Sequence, residues 1–88
     1  MKYYAAFLKM LNPQKSLEYR PQHMDFLVRN EKEGRIFARG RFSDGSGGLV
    51  IYIAESLEQA RALAESDPLI VNGARRLEIH EWEMKTSK

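Results

Sequence analysis

RIFARGRFSDGSGGLVIYIA, residues 35–54, carries the clearest fold signals of the chain. Residues 35–42 alternate loosely between apolar and polar side chains, which predicts a strand. Residues 43–48 hold three of the six glycines of the chain in four positions, and this density predicts a loop. Residues 49–54 are almost continuously apolar, which is typical of a strand covered on both faces. Because the connection is short, we expect the two strands to form an antiparallel hairpin.

A strand and a helix are predicted before this hairpin. Residues 3–10 are aromatic and apolar with one lysine, which favours a strand. A polar connection over 13–19 has room for a helical turn. Pro21 suits the first position of a helix and Gly34 suits its end, so the helix is predicted over 21–33.

A second helix and a last strand are predicted after the hairpin. Ser56-Leu57-Glu58-Gln59 has the capping-box pattern that opens a helix. Asp67-Pro68 ends this helix and can start one further short turn, and residues 77–84 alternate as a strand. The order β-α-β-β-α-β predicts a ferredoxin-like α+β fold, a four-stranded antiparallel sheet with both helices on one face.

Large apolar side chains occur on both faces of the predicted strands, as in Tyr3-Tyr4, Leu49-Val50 and Ile79 with Trp82. Since the helices cover one face, the other would expose a large apolar patch, and such patches usually meet a partner. We expect a symmetric homodimer that packs sheet against sheet. The alternative is that the two faces are less distinct in so small a domain.

The composition narrows the class of protein. Eighty-eight residues predict one domain over 1–88, with 85–88 as a frayed tail. Cysteine is absent, which excludes disulfides and thiolate metal sites. Fourteen basic and twelve acidic residues are interleaved, which speaks against nucleic acid as a partner. The apolar runs are too short for a signal peptide or a membrane span, so we expect a cytoplasmic protein.

His23 and Asp44 are the candidate catalytic residues. His23 falls in the opening turns of the first helix, at the edge of its apolar stripe, and Asp44 lies in the glycine-rich hairpin loop. If Asp44 accepts a hydrogen bond from one ring nitrogen, the other nitrogen is left to exchange a proton with a ligand near neutral pH. The alternatives are a packed structural histidine, and an aspartate that serves only the turn.

Several further residues are candidates for binding or for a structural role. Arg20 and Arg41 could hold a carboxylate or phenolate through charge-assisted hydrogen bonds, and Ser43 and Ser46 flank Asp44 in the loop. For Arg39 we favour an exposed charge on an edge strand, and His80 has no obvious acidic partner, which favours a surface role. No residue pattern predicts a metal site, and we expect no cofactor.

Several motifs together resemble the YciI-like (YCII-related) family. They are Arg20-Pro21-Gln22-His23, Gly34-Arg35-Ile36, Gly40-Arg41-Phe42-Ser43-Asp44-Gly45, Ser56-Leu57-Glu58, Asp67-Pro68 and the Gly73 turn. The resemblance covers essentially the whole chain. It implies a dimeric α+β barrel, related in architecture to muconolactone isomerase, and an active site with a histidine and an aspartate at His23 and Asp44. Most members have no assigned reaction, and some are linked to dehydrochlorination or related steps on hydroxylated aromatic compounds.

The function hypotheses belong to different classes. The first is a small cofactor-free lyase or isomerase that uses a His-Asp pair on a small hydroxylated aromatic or lactone-like substrate. The second is a non-catalytic dimeric module that binds a small molecule. RNA binding through the same topology is poorly supported, because the third strand, LVIYI at 49–53, has one aromatic and no basic residue.

Overall fold

The computed structural model describes residues 1–87 and contains four strands and four helices in the described chain. In chain order they are β1 (Lys2–Met10), α1 (Pro13–Glu18), α2 (Arg20–Lys32), β2 (Ile36–Arg41), β3 (Gly47–Ala54), α3 (Leu57–Glu65), α4 (Pro68–Val71) and β4 (Arg75–Trp82). The strands form one antiparallel sheet in the order β2-β3-β1-β4. The predicted ferredoxin-like arrangement is confirmed.

Two short helices extend the predicted pattern, and each starts at a side-chain cap. Asn12 accepts a hydrogen bond from the Lys15 N–H at 3.0 Å and opens α1. Asp67 accepts one from the Leu69 N–H at 2.9 Å and opens α4. Both caps supply an oxygen to an amide that has no partner inside the helix. The helical turn predicted within 13–19 is therefore the helix α1, and the short turn predicted after Asp67 is the helix α4.

The core lies between the sheet and the helices. Alternate residues of β1 and β3 face the helices because side chains alternate along a strand, and the buried members are Tyr4, Ala6, Leu8, Val50, Tyr52 and Ala54. Phe26 and Leu27 of α2 pack against them, together with Ala60 and Ala64 of α3.

The opposite face of the sheet is apolar and uncovered in the single chain. Tyr3 stacks edge-on against Phe37 with ring centroids 5.2 Å apart, and Phe7 does so against Phe42 at 5.6 Å. Phe37, Phe42 and Trp82 keep 49%, 37% and 44% of their surface exposed. We call this surface the open sheet face.

The bounds of β3 and β4 differ from prediction by two residues, and those of β1 and β2 by at most one. β3 begins at Gly47 rather than Leu49, because Gly47 and Gly48 pair with β1. Gly47 has φ +146°, and a Cβ there would lie 2.2 Å from the Leu8 carbonyl oxygen, so glycine is required. β4 begins at Arg75 and ends at Trp82, opposite the start of β1. Of the predicted tail, 85–87 carry no regular structure, and residue 88 lies outside the described residues.

Candidate active site

His23 lies in the first turns of α2, as predicted. Tyr19 ends α1 and serves as the N-terminal flanking residue of α2, and Pro21 fits the first turn, where a missing N–H removes no helical bond. Phe26 and Leu27, three and four residues further on, are core residues. The His23 ring therefore points toward the body of the domain, and its side chain is only 12% exposed.

Asp67 is the acidic partner of His23. The Nδ1 atom of His23 lies 2.8 Å from Oδ1 and 2.9 Å from Oδ2 of Asp67. An ionised carboxylate only accepts hydrogen bonds, so Nδ1 carries the proton and donates it. The Asp67 side chain is fully buried, and the Leu69 N–H also donates to its Oδ1. The carboxylate is thus locked in place by its role at the start of α4.

This geometry leaves one ring nitrogen of His23 for chemistry. With Nδ1 bonded to Asp67, Nε2 has its lone pair free in the neutral ring, and no hydrogen bond within residues 1–87 involves it. A carboxylate on the far nitrogen stabilises the imidazolium that forms when Nε2 takes a proton. The pair has the parts of a general acid/base.

The structure does not bring Asp44, the expected partner, to His23. Asp44 is exposed, and its Oδ1 accepts the Ser46 N–H at 2.9 Å. Hydrogen bonding by Ser46, through its side chain first and its backbone second, lowers the pKa of Asp44. The loop uses Asp44 for its own turn, whereas the carboxylate that reaches His23 comes from the end of α3.

A cavity of about 180 Å³ borders the His23 ring, and we call it the inner cavity. Its apolar wall consists of Leu8, Met24, Leu27, Leu49, Val50 and Leu69. Its polar wall consists of Ser16, Arg20, Arg39, Arg41 and Arg75. The structure therefore brings the predicted Arg20 and Arg41 to the same cavity as His23, while Ser43 and Ser46 do not line it.

Arg75, which was not predicted, is the most firmly held of these arginines. Its Nε and Nη2 donate to Ser16 Oγ at 3.3 Å and 3.0 Å, and its Nη1 donates to the Leu8 carbonyl at 3.4 Å. Burial lowers the pKa of Arg75, the charge of Asp67 opposes that effect, and the charge of Arg20 adds to it.

Arg39 differs from the other arginines of the cavity because it has an acidic partner. Its Nε and Nη2 lie 3.0 Å and 3.3 Å from the two carboxylate oxygens of Glu31 on α2. The hydrogen bond between them raises the pKa of Arg39 and lowers that of Glu31. The charge of Arg39 is thus balanced by Glu31.

His80 lies away from the inner cavity. Its position opposite Ala5 in the sheet puts it on the open sheet face, its side chain is 71% exposed, and its Nε2 is 3.6 Å from Glu78 Oε1. It makes no contribution to the His23 site.

Two tyrosines of the core have hydroxyls without a partner within the described part of the chain. Tyr4 and Tyr52 pair across β1 and β3 and are fully buried. Burial raises the pKa of Tyr52, and the charge of Asp67 raises it further, so the Tyr52 phenol stays neutral.

No group of three or more histidine, cysteine, aspartate or glutamate side chains among residues 1–87 could hold a metal ion. Nor is any helix in that range long and apolar enough to span a membrane.

Comparison with known proteins identifies relatives over nearly the whole chain. The family model of the YCII-related domain matches residues 1–83. Over 83 residues the chain is 36% identical to the uncharacterized protein YjpA of Bacillus subtilis (strain 168), covering 94% of this chain and 98% of that protein.

The chain is also similar to a solved structure. This is 5-chloro-2-hydroxyhydroquinone dehydrochlorinase (TftG) from Burkholderia phenoliruptrix AC1100, in complex with 2,5-dihydroxybenzoquinone. The TM-score is 0.79, the match covers 94% of this chain and 95% of that one, and 18% of residues are identical. At this identity the likeness concerns the fold, and it agrees with the ferredoxin-like α+β arrangement.

Proposed function

The chain belongs to the YCII-related domain family, and we propose that it is a cofactor-independent enzyme of the lyase or isomerase type. His23 moves a proton on a small substrate, with hydroxylated aromatic or lactone-like compounds as the candidate class. Asp67 takes the orienting role that the sequence suggested for Asp44. Arg20 or Arg41 holds an anionic oxygen of the substrate.

The observation that carries this proposal is the His23–Asp67 pair at the wall of a cavity. Nδ1 is held at 2.8 Å and 2.9 Å by a buried carboxylate, and the ring borders a cavity of about 180 Å³. In the reaction, Nε2 accepts a proton from the substrate and the imidazolium is stabilised by Asp67. In a lyase, the electron pair of the broken bond to hydrogen forms a new double bond while the leaving group departs with its own bonding pair; chloride leaves as the anion, and the proton passes from Nε2 to solvent. In an isomerase, Nε2 returns the proton to another atom of the substrate. Positioned proton transfer of this kind contributes about 10²–10⁴ in rate.

The substrate class draws on the structural neighbour. TftG is a dehydrochlorinase of 5-chloro-2-hydroxyhydroquinone and was solved with a dihydroxybenzoquinone. A single hydroxylated ring is compatible in size with the inner cavity, because a cavity of about 150 Å³ accommodates benzene. These compounds are therefore the first to screen.

We also propose that the active form is a homodimer that packs through the open sheet face. The exposed aromatic side chains of this face support the dimer, since no helix covers them; they are Phe37, Phe42 and Trp82. Association would remove this apolar surface from water.

The test is steady-state turnover of hydroxylated and chlorinated hydroquinones by the wild type and by His23→Gln, Asp67→Asn and Asp44→Asn. The two aspartate variants are a matched pair, because each replaces a carboxylate by an amide of the same shape. We expect His23→Gln to lower kcat by about 10²–10⁴, Asp67→Asn to lower kcat with little change in KM, and Asp44→Asn to behave as wild type.

A folded His23→Gln protein with undiminished kcat would refute the proposed role. If the wild type binds these compounds stoichiometrically without converting any, the chain is the binding module of the alternative hypothesis.

A further inference from the structure

A second pocket adjoins the inner cavity. This outer pocket, of about 330 Å³, is lined in part by Met10, Pro13, Leu17, Phe42 and Ser43. Four residues line both spaces, namely Ser16, Arg20, Arg41 and Arg75. We call these four the arginine wall. His23 faces only the inner cavity, and apolar side chains of α1 and the hairpin face only the outer pocket.

The arginine wall carries three positive charges, and the charge of the buried Asp67 acts on Arg75 without forming an ion pair with it. No carboxylate within residues 1–87 lies within ion-pair distance of Arg20, Arg41 or Arg75. Arg39, by contrast, forms an ion pair with Glu31, with Nε and Oε2 3.0 Å apart. Three guanidinium groups around one small space repel one another, and an anion between them would relieve that repulsion.

Arg75 is built into this wall rather than loosely exposed. Ser16, which is 8% exposed, and the Leu8 carbonyl hold its guanidinium. These acceptors are neutral, so they fix the orientation of the group and leave its charge available. A Cβ on Gly48 would lie 3.6 Å from Arg75 Nη1 and 2.9 Å from the Gly40 carbonyl oxygen. The absence of a side chain at Gly48 therefore allows β2 and β3 to lie close together, whereas the guanidinium is at ordinary contact distance.

We propose that the arginine wall binds the carboxylate of a small organic acid, with the reacting carbon in the inner cavity beside His23 and an apolar group in the outer pocket. The placement of the reacting carbon rests on the proposed function. The inference narrows the proposed substrate class to hydroxylated aromatic or lactone-like compounds that also carry a carboxylate. The planar fork of arginine matches the two oxygens of a carboxylate. Charge that develops next to the carboxylate when Nε2 removes a proton is stabilised by the same guanidiniums.

The test is binding of benzoate to the full chain, measured by calorimetry and by the arginine side-chain ¹H–¹⁵Nε signals. Benzamide, which has the same shape and no charge, and inorganic phosphate are the comparison ligands. We expect benzoate to bind, to shift the Nε signal of Arg75, and to bind more tightly than either comparison ligand. Equal or tighter binding of benzamide, or of phosphate, would overturn the assignment to a carboxylate.

Arg75→Gln and Arg76→Gln form a matched pair, because they remove the same charge from neighbouring residues on opposite faces of β4. We expect Arg75→Gln to weaken benzoate binding by about tenfold or more and Arg76→Gln to leave it unchanged. Arg41→Gln is the second variant, since Arg41 is exposed on β2 and its loss does not threaten the fold. It should weaken binding as well.

Unchanged benzoate affinity in Arg75→Gln and Arg41→Gln refutes the arginine wall, whatever turnover is found. If His23→Gln binds benzoate as wild type does, while no carboxylate or hydroquinone is turned over by the wild type, the arginine wall stands and the proposed enzymatic function fails.

Discussion

Replacing Asp67 by alanine is expected to cost about 2–4 kcal/mol of the free energy of unfolding. Asp67 opens α4 by accepting the Leu69 N–H at 2.9 Å, and losing such a cap typically costs about 1 kcal/mol. It also accepts Nδ1–H of His23 at 2.8 Å and 2.9 Å in a fully buried position. A buried donor left without an acceptor costs about 1–3 kcal/mol. Since domains of this kind are stable by about 5–15 kcal/mol, the loss is a large share of the total.

The assay is urea unfolding of Asp67→Ala, Asp67→Asn and Asp44→Asn, followed by far-UV circular dichroism. Asp67→Asn keeps an amide oxygen for the cap and an amide group that can bond the His23 ring in either tautomer, so we expect it to lose clearly less stability than Asp67→Ala. Asp44→Asn changes an exposed turn residue and should leave the urea midpoint close to wild type. A loss below about 1 kcal/mol for Asp67→Ala, or an equal loss for Asp44→Asn, would show that Asp67 does not have this structural role.

Three further predictions concern the fold and its assembly. Gly47→Ala should lower the free energy of unfolding by about 2–4 kcal/mol, because the new Cβ would lie 2.2 Å from a carbonyl oxygen of β1. Gly40→Ala is the control: it has open space around it and should lower the free energy of unfolding by less than about 1 kcal/mol, both measured by thermal melting. Trp82→Glu should convert the proposed dimer to a monomer in light scattering, whereas Val71→Glu, exposed on α4, should not; a wild-type monomer contradicts the assembly. The hydrogen bond from Arg39 lowers the pKa of Glu31, so this ion pair stabilises the fold above the usual glutamate pKa and stops doing so as the pH falls through the pKa of the folded state. The urea midpoint of Glu31→Gln should therefore fall less than that of the wild type between about pH 6 and about pH 3.

The fold was predictable because its signals are local. The hairpin loop, the capping box at Ser56 and the proline and glycine at the ends of α2 each depend on neighbouring residues. The boundaries that differed depend on pairing across the sheet. β4 begins at Arg75 because Met10 of β1 extends opposite it, and no pattern within 77–84 contains that information.

The site was predictable in part. The position of His23 in the first turns of a helix and beside a core stripe follows from the sequence. Asp44 and Asp67 are both turn aspartates, one before glycine and one before proline, and only tertiary packing decides which reaches the histidine. The sequence indicates that Asp67-Pro68 starts a short turn. An aspartate that caps a turn directly after α3 is the signal that could have marked Asp67 as a candidate partner of His23. Extending the alternation of Ile79 and Leu77 back by two residues would have placed Arg75 on the same face.

The ¹⁵N chemical shifts of the His23 ring decide whether Asp67 or Asp44 holds His23 ready for proton transfer. With Asp67 in that role, we expect neutral His23 to carry its proton on Nδ1 and to leave Nε2 unprotonated in the wild type and in Asp44→Asn, and we expect Asp67→Asn to shift this balance toward Nε2–H. A wild-type ring with its proton on Nε2, or a tautomer that responds to Asp44→Asn and not to Asp67→Asn, would contradict this role of Asp67.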